Sequence, residues 1–184
     1  MAVTARRYGM LPYPLNPEFT DLLAEIAAGN PVLVMQNLGF DWWPQWHYAV
    51  VIGYDITDNE LTLRSGTTKR WQTTFASFGR TWERADNWAL VIVPAGEMPT
   101  TASITTYLKT AYAFEQTGQA LQALDAYRAA ANTWPGDTSS WQALGNMAYK
   151  AGNYDEAVSA LYKASSLGPD DIVTWNNLAY ALHM

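Results

Sequence analysis

One histidine lies in an aromatic stretch that runs directly into an apolar segment. His47 follows Trp42, Trp43 and Trp46 in the run DWWPQWHYAVV, and the 184-residue chain has only 2 histidines. An imidazole exchanges protons near neutral pH, so it is the side chain best suited to act as a general base. Planar indoles bind extended peptides at little entropic cost, which makes the three tryptophans candidates for a cleft lining. Two plainer interpretations stay open: a satisfied strand-end histidine, and indoles that merely cover a sheet edge.

Composition excludes several other kinds of site. The chain has no cysteine, so it cannot itself form disulfides, thiolate metal sites or a thiol nucleophile. A metal site would need a second suitable ligand near His47, and none is apparent, because the other histidine, His183, lies at the far end of the chain; nor is there a glycine-rich phosphate loop, so we predict no metal and no cofactor. A net charge of -6 without a basic patch argues against nucleic-acid binding. No apolar run reaches the length of a membrane span, and the composition predicts a soluble globular chain.

The first half of the chain has the pattern of one helix followed by a sheet. Asn16-Pro17-Glu18 is a helix-start signal, and Gly29 and Pro31 stop the helix. Between them, five apolar residues recur at helical spacing: Phe19, Leu22, Leu23, Ile26 and Ala27. Five β-rich runs follow, at residues 32–38, 47–54, 61–64, 70–75 and 88–93. Short turns between them favour an antiparallel sheet, with the helix covering one face.

Alternation in the strand that begins at His47 separates small from bulky side chains. His47, Ala49 and Val51 share one face, and the opposite face carries Tyr48, Val50, Ile52 and Tyr54. We expect the bulky face to pack in the core and His47 to face a cleft. Asp55 shares the face of His47 but lies roughly 26 Å further along the strand, too far to orient the ring. Gln36 and Asn37, at the end of the preceding strand, could add polar contacts.

A stretch rich in proline and small residues, 94–101, separates this half from a second half dominated by alanine. We therefore divide the chain into domains at 1–96 and 97–184. The second half matches itself at a shift of 34 residues. The matched positions include Tyr107 with Trp141 and Trp175, Gly118 with Gly152, and Pro135 with Pro169.

The repeated positions resemble the tetratricopeptide repeat. Its pattern is filled by Trp141, Leu144, Gly145, Gly152, Ala157, Leu161, Ala164 and Pro169. The resemblance runs from about residue 104 to 184, with Thr110 and Ala111 departing from the pattern in the first copy and one helix present in the third. It implies an all-α array of helical hairpins, about two and a half repeats long, whose groove holds a peptide or protein partner.

The first half resembles the second part of the bacteriocin-processing cysteine peptidases, a papain-like group that recognises double-glycine leaders. The residues that carry the likeness are Pro31-Val32-Leu33-Val34, His47 to Tyr54 and Glu60 to Arg64. A subgroup of bacterial lipoproteins joins such a domain to tetratricopeptide repeats, and the chain is similar to that arrangement from about Arg7 onward. The resemblance implies a partial papain-like α+β fold, His47 as general base, and a periplasmic or membrane-anchored location in a bacterium.

Two departures limit what the resemblance implies. Ser65-Gly66 stands where the family has Asp-Pro, so Ser65 takes the place of the orienting aspartate. Its hydroxyl can accept a hydrogen bond from the imidazole but cannot stabilise an imidazolium as a carboxylate does. A hairpin count about Asp58 also places residues 68–70, rather than Ser65, nearest His47, so the role of Ser65 requires a bulge or a longer turn.

The second departure is the missing nucleophile. The family's glutamine and Cys-Gly-Pro segment precede the equivalent of Arg7, and these residues have no counterpart here. The chain is then either a piece of a longer exported peptidase, which we favour, or a relic that kept the scaffold for binding. We expect it to be inactive alone and able to self-associate through surface that the absent lobe would cover. The alternatives are a non-catalytic adaptor that binds proteins and a serine hydrolase that uses Ser65 and His47.

Overall fold

The computed structural model describes all 184 residues, Met1–Met184. The elements in chain order are α1 (Ala2–Arg7), β1 (Met10–Pro14), α2 (Phe19–Ala27), β2 (Val32–Asn37), β3 (Trp46–Asp55), β4 (Glu60–Ser65), β5 (Thr68–Thr74), α3 (Phe75–Glu83), β6 (Ala89–Pro94), α4 (Ile104–Gln116), α5 (Ala120–Thr133), α6 (Thr138–Lys150), α7 (Tyr154–Leu167) and α8 (Ile172–Leu182). The predicted α+β architecture, an antiparallel sheet followed by a helical array, is confirmed.

The chain forms two compact units. The sheet unit comprises residues 12–93 and 99–101, and the helical unit comprises residues 1–11, 94–98 and 102–184. The sheet has six strands in the order β1-β6-β2-β3-β4-β5, and β2 pairs antiparallel with both β3 and β6. β1 was not predicted; it contains Pro12 and Pro14, and its place at the sheet edge suits residues that cannot donate a ladder hydrogen bond.

The small side chains of β3, rather than the bulky ones, face the core, so our expectation for this strand was wrong. Ala49 and Val51 are 2% and 0% exposed, whereas Tyr48 is 43% exposed. This is the face that the helices α2 and α3 cover, and the two helices contact each other through their aromatic rings: the ring centroid of Phe19 in α2 lies 5.1 Å from that of Phe75 in α3.

Two helices cover this face, not one. The second, α3, begins at an N-cap in which the Thr74 side chain accepts a hydrogen bond from the Ser77 amide. Its buried residues, Phe78 and Trp82, follow Phe75 at helical spacing. These residues carry the usual signals of a helix, but they directly continue the β-rich run at 70–75, which hid the change of periodicity.

The stretch at 94–101 is more ordered than a linker. Glu25 of α2 is fully buried, and its carboxylate accepts hydrogen bonds of 2.7 Å from both the amide and the hydroxyl of Thr101. The amide of Asn30 donates a third, also of 2.7 Å. A buried carboxylate is tolerated when its oxygens are satisfied in this way, and here it ties residues 99–101 to α2. The predicted division at residues 96 and 97 stays a prediction.

In the helical unit, α4 pairs with α5 and α6 pairs with α7, and the remaining helix, α8, packs against α7. The repeat is visible in individual hydrogen bonds. The indole of Trp141 donates to the carbonyl of Pro135 at 3.0 Å, and 34 residues later the indole of Trp175 donates to Pro169 at 2.8 Å. Asp137 and Asp171 cap α6 and α8 at the same spacing. None of the helices is both long and apolar enough to cross a bilayer.

Candidate functional site

The strand register brings His47 and Ser65 together on the covered face of the sheet. Ala49 in β3 lies opposite Ser65 in β4, and His47 is the next residue of β3 on that face. Diagonal neighbours of this kind are within reach of a long side chain. The ring nitrogen Nε2 of His47 lies 2.7 Å from Oγ of Ser65, a hydrogen bond. Both side chains are partly exposed, so the pair is accessible at the end of the strand.

A bulge, rather than a longer turn, makes this contact possible. The pairing of β3 with β4 shifts by one residue between Val51 and Gly53. Without the shift, the count from the Asp55–Glu60 end of the hairpin would pair Ser65 with Val50, whose side chain lies on the opposite face of β3 from His47. Thr68, which the simple count placed near His47, pairs instead with Ser65 on the far side of β4.

The contact leaves one ring nitrogen available for chemistry. Nε2 is engaged by Ser65, and the structure shows no hydrogen bond at Nδ1 of His47. A serine hydroxyl both donates and accepts, so it holds the ring in either tautomer. It carries no charge to stabilise an imidazolium. The nearest acid in β3, Asp55, caps the turn by accepting from the amides of Thr57 and Asp58, at 2.8 and 3.2 Å.

Gln36 lies directly across the ladder from His47 and connects the site to α3. Gln36 is 1% exposed and its Nε2 donates to Oγ1 of Thr81 at 2.6 Å. Thr81 in turn donates to the carbonyl of Phe78 at 2.8 Å. The Arg84 guanidinium donates two hydrogen bonds to the carbonyl of Asn37, at 3.2 and 3.0 Å. Sequence reasoning noted Gln36 and Asn37, but nothing in the sequence linked them to Thr81 and Arg84.

The loop between β2 and β3 presents its aromatic rings to solvent. Trp42, Trp43, Trp46 and Phe40 are all well exposed, Trp42 most of all at 79%. The rings of Phe40 and Trp42 stack with centroids 5.7 Å apart, and the backbones of Phe40 and Trp43 exchange two hydrogen bonds. We call residues 38–45 together with Trp46 the aromatic loop. It is continuous with the strand that carries His47.

Two residues hold the aromatic loop closed at its base. The side-chain oxygen of Asn37 accepts from the amides of Gly39 and Gln45, at 3.0 and 2.9 Å. A Cβ at Gly39 would collide with the carbonyl oxygen of Trp43, so only glycine fits. These contacts therefore fix the backbone conformation of the loop that carries the exposed rings. No group of three or more metal-binding side chains is present anywhere in the structure.

The helical unit offers a second surface. A cavity of about 470 Å³ is lined by Asn146, Tyr149, Lys150, Leu161, Asn177 and Tyr180, which come from α6, α7 and α8. The nearby cation Lys150 is paired with Glu115 of α4 at 2.5 Å. Trp141 and Trp175 do not line this cavity. Trp141 is partly buried and Trp175 is exposed, and both bond to loop carbonyls.

Comparison with known families identifies part of the helical unit. Residues 138–181 match the tetratricopeptide repeat family, a range that spans α6, α7 and most of α8. The match does not extend to the sheet unit. No curated protein matches the chain. The helical unit thus contains a tetratricopeptide repeat, the type of module through which proteins bind other proteins.

Proposed function

We propose that the sheet unit is the base-bearing part of a papain-like cysteine peptidase of the leader-processing type, and that the repeats recruit its substrate or a partner. The helical unit is a protein-interaction module of the tetratricopeptide type. The observation that carries the peptidase part is the 2.7 Å hydrogen bond between His47 Nε2 and Ser65 Oγ. It fixes the ring while leaving Nδ1 free, as a general base requires.

In this mechanism the imidazole takes a proton from a thiol, and the thiolate attacks a peptide carbonyl. The imidazolium then returns the proton to the leaving amine. Ser65 orients the ring in place of the usual aspartate. Because the 184 residues contain no cysteine, the thiol has to come from residues outside them, and this chain alone is inactive.

The aromatic loop supports binding of an extended peptide beside His47. Its exposed indoles, Trp42, Trp43 and Trp46, offer large flat surfaces that are already held in place. A rigid aromatic surface loses little conformational entropy when a peptide binds. From the resemblance of the sheet unit to the leader-processing peptidases, we further propose that the protein acts in the periplasm of a bacterium or attached to a membrane anchor.

A second candidate function is a non-catalytic adaptor in which both units bind protein. The absence of cysteine favours it, because an adaptor needs no nucleophile. In that case the bond between His47 and Ser65 only satisfies two polar groups at the edge of the core.

Hydrolysis of a double-glycine leader peptide by the longest natural form of the protein separates the two candidates. His47→Ala should lower kcat by about 10²- to 10⁴-fold, the usual contribution of a general base. His183→Ala is the matched control, because it removes the only other histidine, which lies exposed next to the last residue of the chain. Equal rates for wild type and His47→Ala would exclude the peptidase proposal. Peptide binding without any hydrolysis by the wild type would favour the adaptor.

A further inference from the structure

The tip of the aromatic loop holds three large rings out in water. Phe40, Trp42 and Trp43 are 65%, 79% and 65% exposed, and Trp42 is the most exposed large apolar side chain of the sheet unit. The backbones of Phe40 and Trp43 exchange hydrogen bonds of 3.2 and 3.0 Å, which close a tight turn between them. Rings on a closed turn cannot fold back onto the core, so this apolar surface stays in water until a partner covers it.

The turn between β4 and β5 lies beside the aromatic loop. Ser65, the last residue of β4, lies opposite Ala49 of β3 and pairs on its other side with Thr68 of β5. The chain therefore reverses at the end of the sheet where β3 begins. Three exposed cations flank this reversal, and we call them the cationic turn: Arg64, Lys69 and Arg70. None of them forms an ion pair, since every ion pair of the structure lies in the helical unit.

The charges of the sheet unit are segregated, although the whole chain carries a net charge of -6. Three acids lie at the far end of the hairpin that β3 and β4 form: Asp55, Asp58 and Glu60. Two further acids, Glu83 and Asp86, precede β6, which β2 separates from β3. Asp41 is the one acid within the aromatic loop. The flank of the loop on the side of β4 and β5 is therefore basic, and its cations are free to bind an anion.

Exposed indoles beside free cations complement the surface of an anionic bilayer. Indole rings are favoured at the level of the lipid headgroups, and lysine and arginine near the surface are attracted by anionic lipids. An acidic peptide could also neutralise the cations. It would leave much of the ring surface in water, however, because the rings stand on a protruding turn, whereas a headgroup layer surrounds such a turn on all sides.

We propose that the tip of the aromatic loop, residues 40–43, inserts into the headgroup region of an anionic lipid bilayer, and that the cationic turn binds the lipid phosphates. The contact is peripheral and requires no spanning helix. It goes beyond the proposed function and holds for the peptidase and the adaptor alike. Trp46, at the base of the loop, stays next to His47 in β3, where it remains available to a peptide.

Cosedimentation of the full chain with lipid vesicles tests the role of the cationic turn. Vesicles of equal parts phosphatidylcholine and phosphatidylglycerol should bind the chain at least about tenfold more tightly than vesicles of phosphatidylcholine alone. Lys69→Gln/Arg70→Gln should weaken binding to the anionic vesicles by about 25-fold, about fivefold for each cation removed. Lys109→Gln/Lys163→Gln is the matched control: it makes the same charge change at two exposed lysines of the helical unit, and should alter binding less than about twofold.

Quenching of tryptophan emission by brominated lipid tests insertion directly. Anionic vesicles that contain lipid brominated near the headgroup should quench the wild type. Trp42→Ala/Trp43→Ala should lose most of the quenched fraction and bind about tenfold more weakly, because the inserted apolar area is removed. Tyr8→Ala removes a ring of the helical unit that is 81% exposed, and should change neither quantity.

The inference is overturned if the chain does not bind anionic vesicles or if Lys69→Gln/Arg70→Gln binds them as tightly as the wild type. Equal quenched fractions for the wild type and Trp42→Ala/Trp43→Ala would overturn it as well. So would displacement by a soluble glutamate hexamer without any quenching by brominated lipid, since the patch would then be a docking surface for acidic peptides. His47→Ala should bind vesicles as the wild type does, so failure of this inference and failure of the peptidase proposal are distinguishable.

Discussion

Gly145 in α6 faces Leu161 in α7 so closely that it leaves no room for a side chain. A Cβ at Gly145 would lie 2.5 Å from Cγ, 2.9 Å from Cδ2 and 3.2 Å from the backbone nitrogen of Leu161. Leu161 is 1% exposed and cannot turn away into solvent. A methyl group at this position therefore forces the two helices of the repeat apart.

The expected size of the effect follows from two opposing terms. Overpacking a tight core costs about 1–3 kcal/mol, whereas alanine in place of glycine within a helix gains about 0.5–1 kcal/mol. Gly145→Ala should therefore destabilise the helical unit by about 1 kcal/mol, near the middle of the difference between these two ranges. With an m-value of about 2 kcal/mol/M, the urea midpoint read by far-UV circular dichroism falls by about 0.5 M.

Gly79→Ala is the control, because Gly79 lies inside α3 and a Cβ there would meet nothing within 4 Å. Gly79→Ala should leave the sheet unit equally stable or more stable, because only the higher helix propensity of alanine acts at this position. Leu161→Ala should cost about 2–5 kcal/mol by itself, but less when Gly145→Ala is present, because the added methyl then has space. If Gly145→Ala stabilises as Gly79→Ala does, the close helix contact that we infer for this repeat does not exist.

Three further changes test other parts of the structure. Gly39→Ala should open the aromatic loop, seen as faster proteolysis of residues 38–45 and a shifted tryptophan emission; unchanged cleavage would contradict the collision that we describe. The hydrogen bonds and charge of Arg128 hold the pKa of Glu156 below its usual range, so this partly exposed pair should stabilise by about 1 kcal/mol at pH 7 and lose that effect as the pH falls through the lowered pKa. Glu156→Gln should then be less stable than wild type at pH 7 and approach the stability of the wild type as the pH falls below the lowered pKa of Glu156; a difference independent of pH would argue against the ion pair. Ser65→Ala should lower hydrolysis by the longest natural form about tenfold without abolishing it, since Ser65 only orients the base. Labelling of Ser65 by an organophosphate would instead support a serine hydrolase.

The repeat half of the fold was predictable because its signal is periodic. Spacing of 34 residues fixes which residues lie at the helix contact, and Gly145 against Leu161 is the contact that the pattern requires. The indole bonds of Trp141 and Trp175 could not be read from the pattern. They depend on where the loop carbonyls of Pro135 and Pro169 point.

The sheet half was predictable in kind but not in orientation. Alternation assigns side chains in β3 to two faces, yet it does not say which face the helices cover. In the structure α2 and α3 cover the face that carries Ala49 and Val51, and α3 was not predicted from the sequence.

The contact between His47 and Ser65 depended on the strand register. The family resemblance pointed to Ser65, whereas the hairpin count about Asp58 pointed to residues 68–70. The Asp55–Glu60 pairing accounts for one residue of the difference from that count and the shift after Val51 for a second, which together place Ser65 opposite Ala49. A bulge of this kind has no strong sequence signal apart from the glycine at position 53, so register at this level could not be derived from the sequence.

Chemical rescue tests the role of the imidazole most directly. In the longest natural form of the protein, His47→Ala removes the base and leaves a space at the end of β3, and added imidazole should restore part of the lost hydrolysis of a double-glycine leader peptide in a saturable way. The same additive should not accelerate the wild type or His183→Ala. Rescue of His47→Ala is the result we predict; undiminished hydrolysis by His47→Ala without imidazole would contradict the assignment of His47 as the general base.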